Sequence, residues 1–523
     1  MRTPYRGVIL ASSSLFARPS SSFLTITHPA AVYRSTSTSS SFNTTLVTSA
    51  ARMSTSTDSS PPEPTSTKTK NYVRVVSYNL LSSKLAGPSH FTHTHPDHLH
   101  ADYRLKLILN KLEKEMERGF GDTGTTTTSG SPPPTIFALQ EVCYPFASAL
   151  HTFFASRGYH FVTGLYGRPF NGYMGVGIAY PLKDFETVNV DICRLSDTRS
   201  GGWPREEEKS PVGDDIDGPT KQGRGLGNVI QSFVSTLIQS ITNRVTMKRL
   251  GASSSSVEEK KPIDPWEMSE NRFNVLLTAV LRHRLEGEGG GCNNNSNSAF
   301  SISNYHMPCA YFAPAVMNIH TEMVARRVQD LAAESWKSVQ KSRSEGEEHS
   351  NDEVLSQQPQ QDDENAEEGQ PKQTIPYILA GDFNILPNSA QYTILTKGML
   401  DSSDPTSPPP KYGMEWKVES LPMDSAYATF DSKEPEFTNY AHLKDDPDPF
   451  IGTLDYIFLS KNDSDEQNEV VAEGAAATGR GHEWKVHGVH KLPSKENSGG
   501  PFPSEKEPSD HLLIAADLEL IIA

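Results

Sequence analysis

Apolar positions in this chain fall into short runs of two kinds. Val73 to Tyr78, Ile136 to Leu139, Tyr159 to Thr163, Val176 to Tyr180 and Val188 to Leu195 are continuous or alternate with period two, and so are Phe273 to Leu281, Phe300 to Tyr305, Tyr377 to Ala380, Leu454 to Leu459 and Leu512 to Leu518. That pattern predicts strands. Tyr159 to Leu195 reads as three successive strands of one antiparallel region, and the Phe273 and Phe300 runs as a hairpin across a Gly/Asn-rich stretch. Leu105, Ile108, Leu109 and Leu112 recur at helical spacing, as do Ile319, Met323, Val328, Leu331 and Trp336; Phe146 to Phe154 is a further helix. Two antiparallel-rich groups of strands with helices between them predict an α/β fold. The expected form is a four-layer sandwich, two mixed β-sheets packed face to face and flanked by helices.

Between these runs the chain is rich in Ser, Thr, Gly, Pro and acids. Low-complexity insertions near 200–266, 286–298, 342–372 and 462–508 are too polar to build a core and are expected as loops of a single domain spanning 73–523. Within the first of them Val229, Ile230, Phe233, Val234, Leu237, Ile238, Ile241 and Val245 keep helical spacing, which predicts a helix packed on its own domain, with a partner-binding or membrane-surface helix as the alternative.

Net charge is −16, which argues against an extended, sequence-independent grip on duplex DNA. Residues 1–57 contain Arg2, Arg6, Arg18, Arg34 and Arg52 but no acid before Asp58, and they are rich in Ser and Thr. This is the composition of an organelle transit peptide, mitochondrial or plastid, or of a disordered tail with no address, followed by a linker at 58–72. A second start at Met53 would leave a cytoplasmic form. No apolar run is long enough to span a bilayer. Cys143, Cys193, Cys292 and Cys309 lack paired spacing and read as free thiols.

Four acidic stretches adjoin the strand-like runs: Leu139-Gln140-Glu141-Val142, Gly381-Asp382-Phe383-Asn384, Thr453-Leu454-Asp455-Tyr456 and Ser509-Asp510-His511. A carboxylate beside a buried strand is costly unless it meets a metal, a histidine or a hydrogen-bond donor. Asp455 lies in a strand apolar on both faces and needs a partner, which His511 offers. Glu141, at a strand exit, suits a hard divalent cation. Asp382 and Asn384 share a face if their strand continues, giving an acceptor to position a water and an amide to contact a phosphoryl oxygen. His90, His93, His95, His98 and His100 cluster in a loop and read as solvated side chains, as do Arg326 and Arg327 on a helix.

Together with Ser77-Tyr78-Asn79-Leu80-Leu81, the order of these pieces resembles the endonuclease/exonuclease/phosphatase superfamily, from about Val73 to Ile522 less the insertions. Phe437-Thr438-Asn439 ahead of Leu-Asp-Tyr-Ile-Phe is most similar to the branch of deadenylases, nocturnin and angel proteins. The resemblance implies Mg2+, or Mn2+, held by Asn79 and Glu141 with Asp510 close by. It implies that Asp382 orients or deprotonates water, that Asn384 binds phosphate, and that Asp455 pairs with a His511 facing the scissile phosphate. Asp382 and His511 both stay open as the general base. His306, in Asn304-Tyr305-His306-Met307, is assigned to the phosphate, with His320 as its rival.

The function expected is a Mg2+-dependent phosphoric ester hydrolase cleaving phosphodiester bonds, a nuclease acting on RNA. A small-molecule phosphatase for a nucleotide or inositol phosphate is one alternative, and an inactive binding module with the same fold is the other.

Overall fold

The computed structural model of the protein describes residues 71–121, 131–166, 174–206, 263–284, 299–348, 373–444, 446–461 and 482–522, all within the unit that begins at Thr69. The amphipathic stretch from Val229 to Val245 and the proposed transit peptide lie outside the described residues.

Strand β1 (Asn71–Asn79) pairs in parallel with β2 (Thr135–Gln140) and antiparallel with β14 (Ile514–Ile522). Antiparallel β13 (His482–Val489) extends this sheet beyond β14, and β4 (Met174–Pro181) and β3 (Tyr159–Tyr166) extend it beyond β2, giving the order β13-β14-β1-β2-β4-β3. The second sheet runs β5 (Phe185–Arg194), β6 (Val275–His283), β7 (Ala299–His306), β8 (Tyr377–Asp382), β12 (Asp455–Ser460) and β9 (Met423–Ser425). Within it β7 and β8 are parallel and the other pairs antiparallel. A short ribbon of β10 (Asn439–Ala441) and β11 (Phe450–Gly452) stands apart from both sheets.

Period-two alternation divides each central strand between two apolar environments, which is why the runs read as continuous. Val73, Val75, Ile136 and Ala138 meet Leu277, Ile302, Ile378 and Ile457 between the sheets. Their neighbours Val76, Tyr78, Phe137 and Leu139 face helices α1 (Ala101–Glu117) and α2 (Tyr144–Ala155). On the far side Leu276, Tyr305, Leu379 and Phe458 face α3 (Pro265–Glu270), α4 (Pro314–Glu348) and α5 (Ala390–Lys397), completing the four layers.

Three expectations change. The run from Val188 does not continue the antiparallel region of β3 and β4; it belongs to β5, which crosses to the other sheet and pairs with β6. The 462–508 segment is not all loop, because β13 lies within it. Its apolar residues Trp484, Val486 and Val489 alternate with Glu483 and Lys485, as suits an edge strand with one wet face. Trp266, at the end of the first insertion, is buried and sits in α3.

One charged pair closes the first sheet against α1. Arg74 stands opposite Asp517 in the β1/β14 register, and its Nε and Nη2 donate to the two carboxylate oxygens at 2.6 and 2.8 Å. Its remaining hydrogens go to the carbonyls of Glu115, Arg118 and Gly119 at and beyond the end of α1. Asp517→Ala leaves this buried cation without its counter-charge and is expected to destabilise the fold by about 3–5 kcal/mol. Urea unfolding at fixed pH measures this, and a loss under about 1 kcal/mol would mean that the carbonyls hold the arginine by themselves.

Candidate active site

The central strands of the two sheets deliver their polar residues to one edge of the sandwich. Asn79 ends β1, Glu141 follows β2, His306 ends β7, Asp382 ends β8 and Asp455 opens β12. Pairing registers place His306 and Asp455 on either side of Asp382. Asn439 bridges to His511 and so brings in the loop that precedes β14. The approach of β8 to β7 depends on Gly381, where a Cβ would stand 1.9 Å from the Tyr305 carbonyl oxygen. Leu81, Glu141 and Asn384 each adopt positive φ, at 54°, 56° and 53°, just past a strand end. Such conformations cost about 1–3 kcal/mol each and persist where surrounding bonds enforce them.

Asp382 is the hub. Its Oδ2 accepts from Asn79 Nδ2 at 2.9 Å, with His306 Nε2 and His511 Nε2 each 3.6 Å away. Its Oδ1 accepts the backbone N–H of Asn384 at 2.9 Å. The shared face expected for Asp382 and Asn384 is not formed, because β8 stops at Asp382 and Asn384 is left-handed. The turn brings back the Asn384 backbone, and its side-chain amide donates to the Met307 carbonyl at 3.0 Å.

His511 Nδ1 lies 2.8 Å from Asp455 Oδ2, the partner that the apolar setting of Asp455 called for. The same oxygen accepts from Thr438 Oγ1 at 2.6 Å, while that hydroxyl accepts the N–H groups of Leu454 and Asp455. Burial alone would lower the His511 imidazole, but the carboxylates of Asp455, Asp382 and Asp510 outweigh it and hold the group well above its usual value. Burial pushes the Asp455 carboxyl up as well, so the two groups compete for one proton. The bonds decide in favour of the ion pair, because both donors on Asp455 favour the carboxylate.

Under this layer the sheets are tied together. Gln140 Nε2 donates to Ser77 Oγ and to Asn304 Oδ1 across the sandwich, and Asn304 Nδ2 returns bonds to the carbonyls of Leu139 and Gly177. Gln140 precedes Glu141, and Asn304 lies two residues before His306, so this ladder sets the distance between the two halves of the site.

The carboxylates fit a divalent cation. Glu141 is pushed up by burial, with Asp510 adding to the effect. Its oxygens accept from Ser82 N–H at 2.6 Å and Asn79 Nδ2 at 3.3 Å. Asp510 Oδ2 accepts from Asn439 Nδ2 at 3.3 Å, whereas its buried Oδ1 has no hydrogen-bond partner among the described residues. Asp382, Asp455 and His511 also offer donor atoms within 4.8 Å of one another. A protonated His511 has no lone pair to give, so the hard oxygens of Glu141 and Asp510 suit Mg2+ or Mn2+ better. Asn79 turns its amide nitrogen to Glu141 and Asp382, and its oxygen accepts from Leu81 N–H. Direct ligation by Asn79 would require the carboxamide to turn over.

His320 does not join the site. It is buried on the outer side of the second sheet, with Nδ1 on the Tyr305 hydroxyl and Nε2 facing the Ser269 carbonyl. Arg326 pairs with Glu419 and Arg327 with Asp191. His93 stacks on His442 at 3.7 Å, and among the described residues the loop histidines form no set of three metal donors. Sequence reasoning did not assign Thr438, Asn439, Tyr166 or Arg104. Buried Arg104 donates to the carbonyls of Leu80, Leu81 and Pro508, joining the turn after Asn79 to the loop that carries Asp510. Its place on the Ile108/Leu112 stripe of α1 was a readable signal.

A sequence profile of the Endonuclease/Exonuclease/phosphatase family matches residues 76–511. The chain is 30% identical over 145 residues to carbon catabolite repressor protein 4 homolog 4 of Arabidopsis thaliana, covering 27% of each chain. It is 27% identical over 208 residues to the CCR4-Not complex 3'-5'-exoribonuclease subunit Ccr4 of Phaeosphaeria nodorum, covering 36% of this chain and 30% of that one. The matched segments thus span less than a third of these relatives. Among solved structures, that of ANGEL2, a 2',3'-cyclic phosphatase, with adenosine-2',3'-vanadate covers 86% of this chain and 96% of its own at 16% identity and a TM-score of 0.48. The human Nocturnin catalytic domain with bound sulfate covers 87% and 96% at 15% identity and a TM-score of 0.41.

Because His511 is raised in the fold, its contribution to stability is complete below the unfolded imidazole value of about 6.5 and is lost as pH rises through the folded value. In chelator-treated protein, the melting temperatures of wild type and His511→Gln should differ most below about pH 6.5 and converge in alkaline buffer. A gap that widens with pH would show the neutral imidazole to be the form the fold prefers.

Proposed function

The chain belongs to the endonuclease/exonuclease/phosphatase family, and from that premise we propose that it is a Mg2+-dependent phosphodiesterase that acts on RNA ends. The observation that carries this reading is the meeting, at one edge, of the Asp382 carboxylate, two imidazoles 3.6 Å from it and the unsatisfied Asp510 oxygen. Glu141 and Asp510 would hold the cation, which when bound supplies positive charge to a phosphoryl oxygen. Asp382 accepts a proton from the attacking water. His511, charged through its pairing with Asp455, donates from Nε2 to the phosphoryl group rather than acting as base. His306 Nε2 offers a second donor, and Asn384, whose backbone N–H bonds Asp382, stands beside them.

Exonuclease action on RNA is supported by the likeness to the 3'-5'-exoribonuclease subunit of Phaeosphaeria nodorum. The net charge of −16 favours a short strand end over a long track, and it keeps a nucleotide phosphatase as the second reading. The full chain, incubated with Mg2+ and 3'- or 5'-labelled RNA, DNA and nucleotide phosphates, should shorten RNA stepwise. Asp382→Ala is expected to lower the rate by about 10²–10⁴-fold, and Glu141→Ala or chelator to abolish it. Phosphate release from nucleotides alone would replace the nuclease with the phosphatase, and silence across the panel would reject both nucleotide readings.

A further inference from the structure

The two imidazoles beside Asp382 are wired in opposite senses. His511 turns Nδ1 to a carboxylate, an acceptor. His306 turns Nδ1 to a hydroxyl, that of Tyr166, at 3.3 Å. Tyr166 is the last residue of β3 in the first sheet, and His306 is the last residue of β7 in the second. Both are buried, and the backbone carbonyl of His306 accepts from Asn274 Nδ2 at 2.7 Å, which anchors the histidine from its other side.

Nε2 of His306 faces Asp382 Oδ2 at 3.6 Å. An ionised carboxylate only accepts hydrogen bonds, and a lone pair pointed at it would be repelled, so the hydrogen belongs on Nε2. In the neutral ring that choice leaves the lone pair on Nδ1, and a buried acceptor requires a donor. A tyrosine hydroxyl keeps its proton at neutral pH and supplies that donor. We propose that Tyr166 is a positioning residue that fixes the tautomer of His306 and thereby aims an Nε2–H donor into the phosphoryl site. The tautomer stands on geometry alone; its use on phosphate rests on the function proposed above.

The test is made on the full chain labelled with ¹⁵N in histidine. Long-range ¹H–¹⁵N correlation spectra report the tautomer of each ring, and His306 is assigned by the signal lost in His306→Gln. Wild type should show the Nε2–H tautomer. Tyr166→Phe, which keeps the ring and its packing, should move His306 to a mixture and lower kcat about threefold to tenfold with KM little changed. An Nδ1–H tautomer in wild type, or spectra of His306 unaltered by Tyr166→Phe, would overturn the proposal. The spectra decide on Tyr166 whether or not hydrolysis is seen, so a wild-type chain inactive on every phosphoester would count against the proposed function alone.

Discussion

Four carboxylates, those of Glu141, Asp382, Asp455 and Asp510, share one edge of the sandwich, and most of the local structure answers the charge they bring. Among the described residues none of them is hydrogen-bonded to a lysine or arginine; their donors are amides, a hydroxyl, backbone N–H groups and imidazoles. Neutral donors lower the cost of buried charge without cancelling it. Protonated His511 and the buried Arg104 guanidinium, which acts on Asp510 and Glu141 through space, supply part of the missing positive charge. The remainder is what a divalent cation would bring.

That arrangement needs two sheets held at one distance. Parallel pairing of β1 with β2 and of β7 with β8 sends the strand ends in each sheet the same way, and the Gln140–Asn304 ladder joins the sheets directly beneath the site. Gly381 allows β8 to lie against the Tyr305 carbonyl, so that Asp382 meets His306 in register. A side chain there would push apart the strands that position the two groups. Leu81, Glu141 and Asn384 then take left-handed conformations just past the strand ends that carry the site.

How much of this could be read from the sequence follows from where each signal lies. Asp455 was legible because a single acid in an apolar strand has few explanations, and His511 because it follows an acid before another apolar run. The central strands were legible because both faces of each are buried. Strand β13 was not, since only alternate residues touch the core and the rest are charged. The shared face of Asp382 and Asn384 required the strand to continue, and it ends at Asp382, two residues before Asn384. Thr438 was visible only as part of a motif without a role of its own, and Tyr166 in no motif; each acquires its role from a side chain 17 or 140 positions away, and only the fold brings those pairs together.

The choice between Asp382 and His511 as proton acceptor also lies outside the sequence and follows from the bonds. A histidine can take a proton from water only through a lone pair, and His511 is surrounded by three carboxylates that favour its charged form. A cation bound at Glu141 and Asp510 would weaken the pull of Asp510, but Asp455, in contact with Nδ1 and fixed there by Thr438, would remain. Asp382 has the opposite setting: an acceptor with donors on both oxygens and two imidazole nitrogens facing it. On the proposed function, the geometry that keeps His511 charged leaves Asp382, which only accepts, to orient the water and take its proton, with the two histidines as donors to the phosphoryl oxygen.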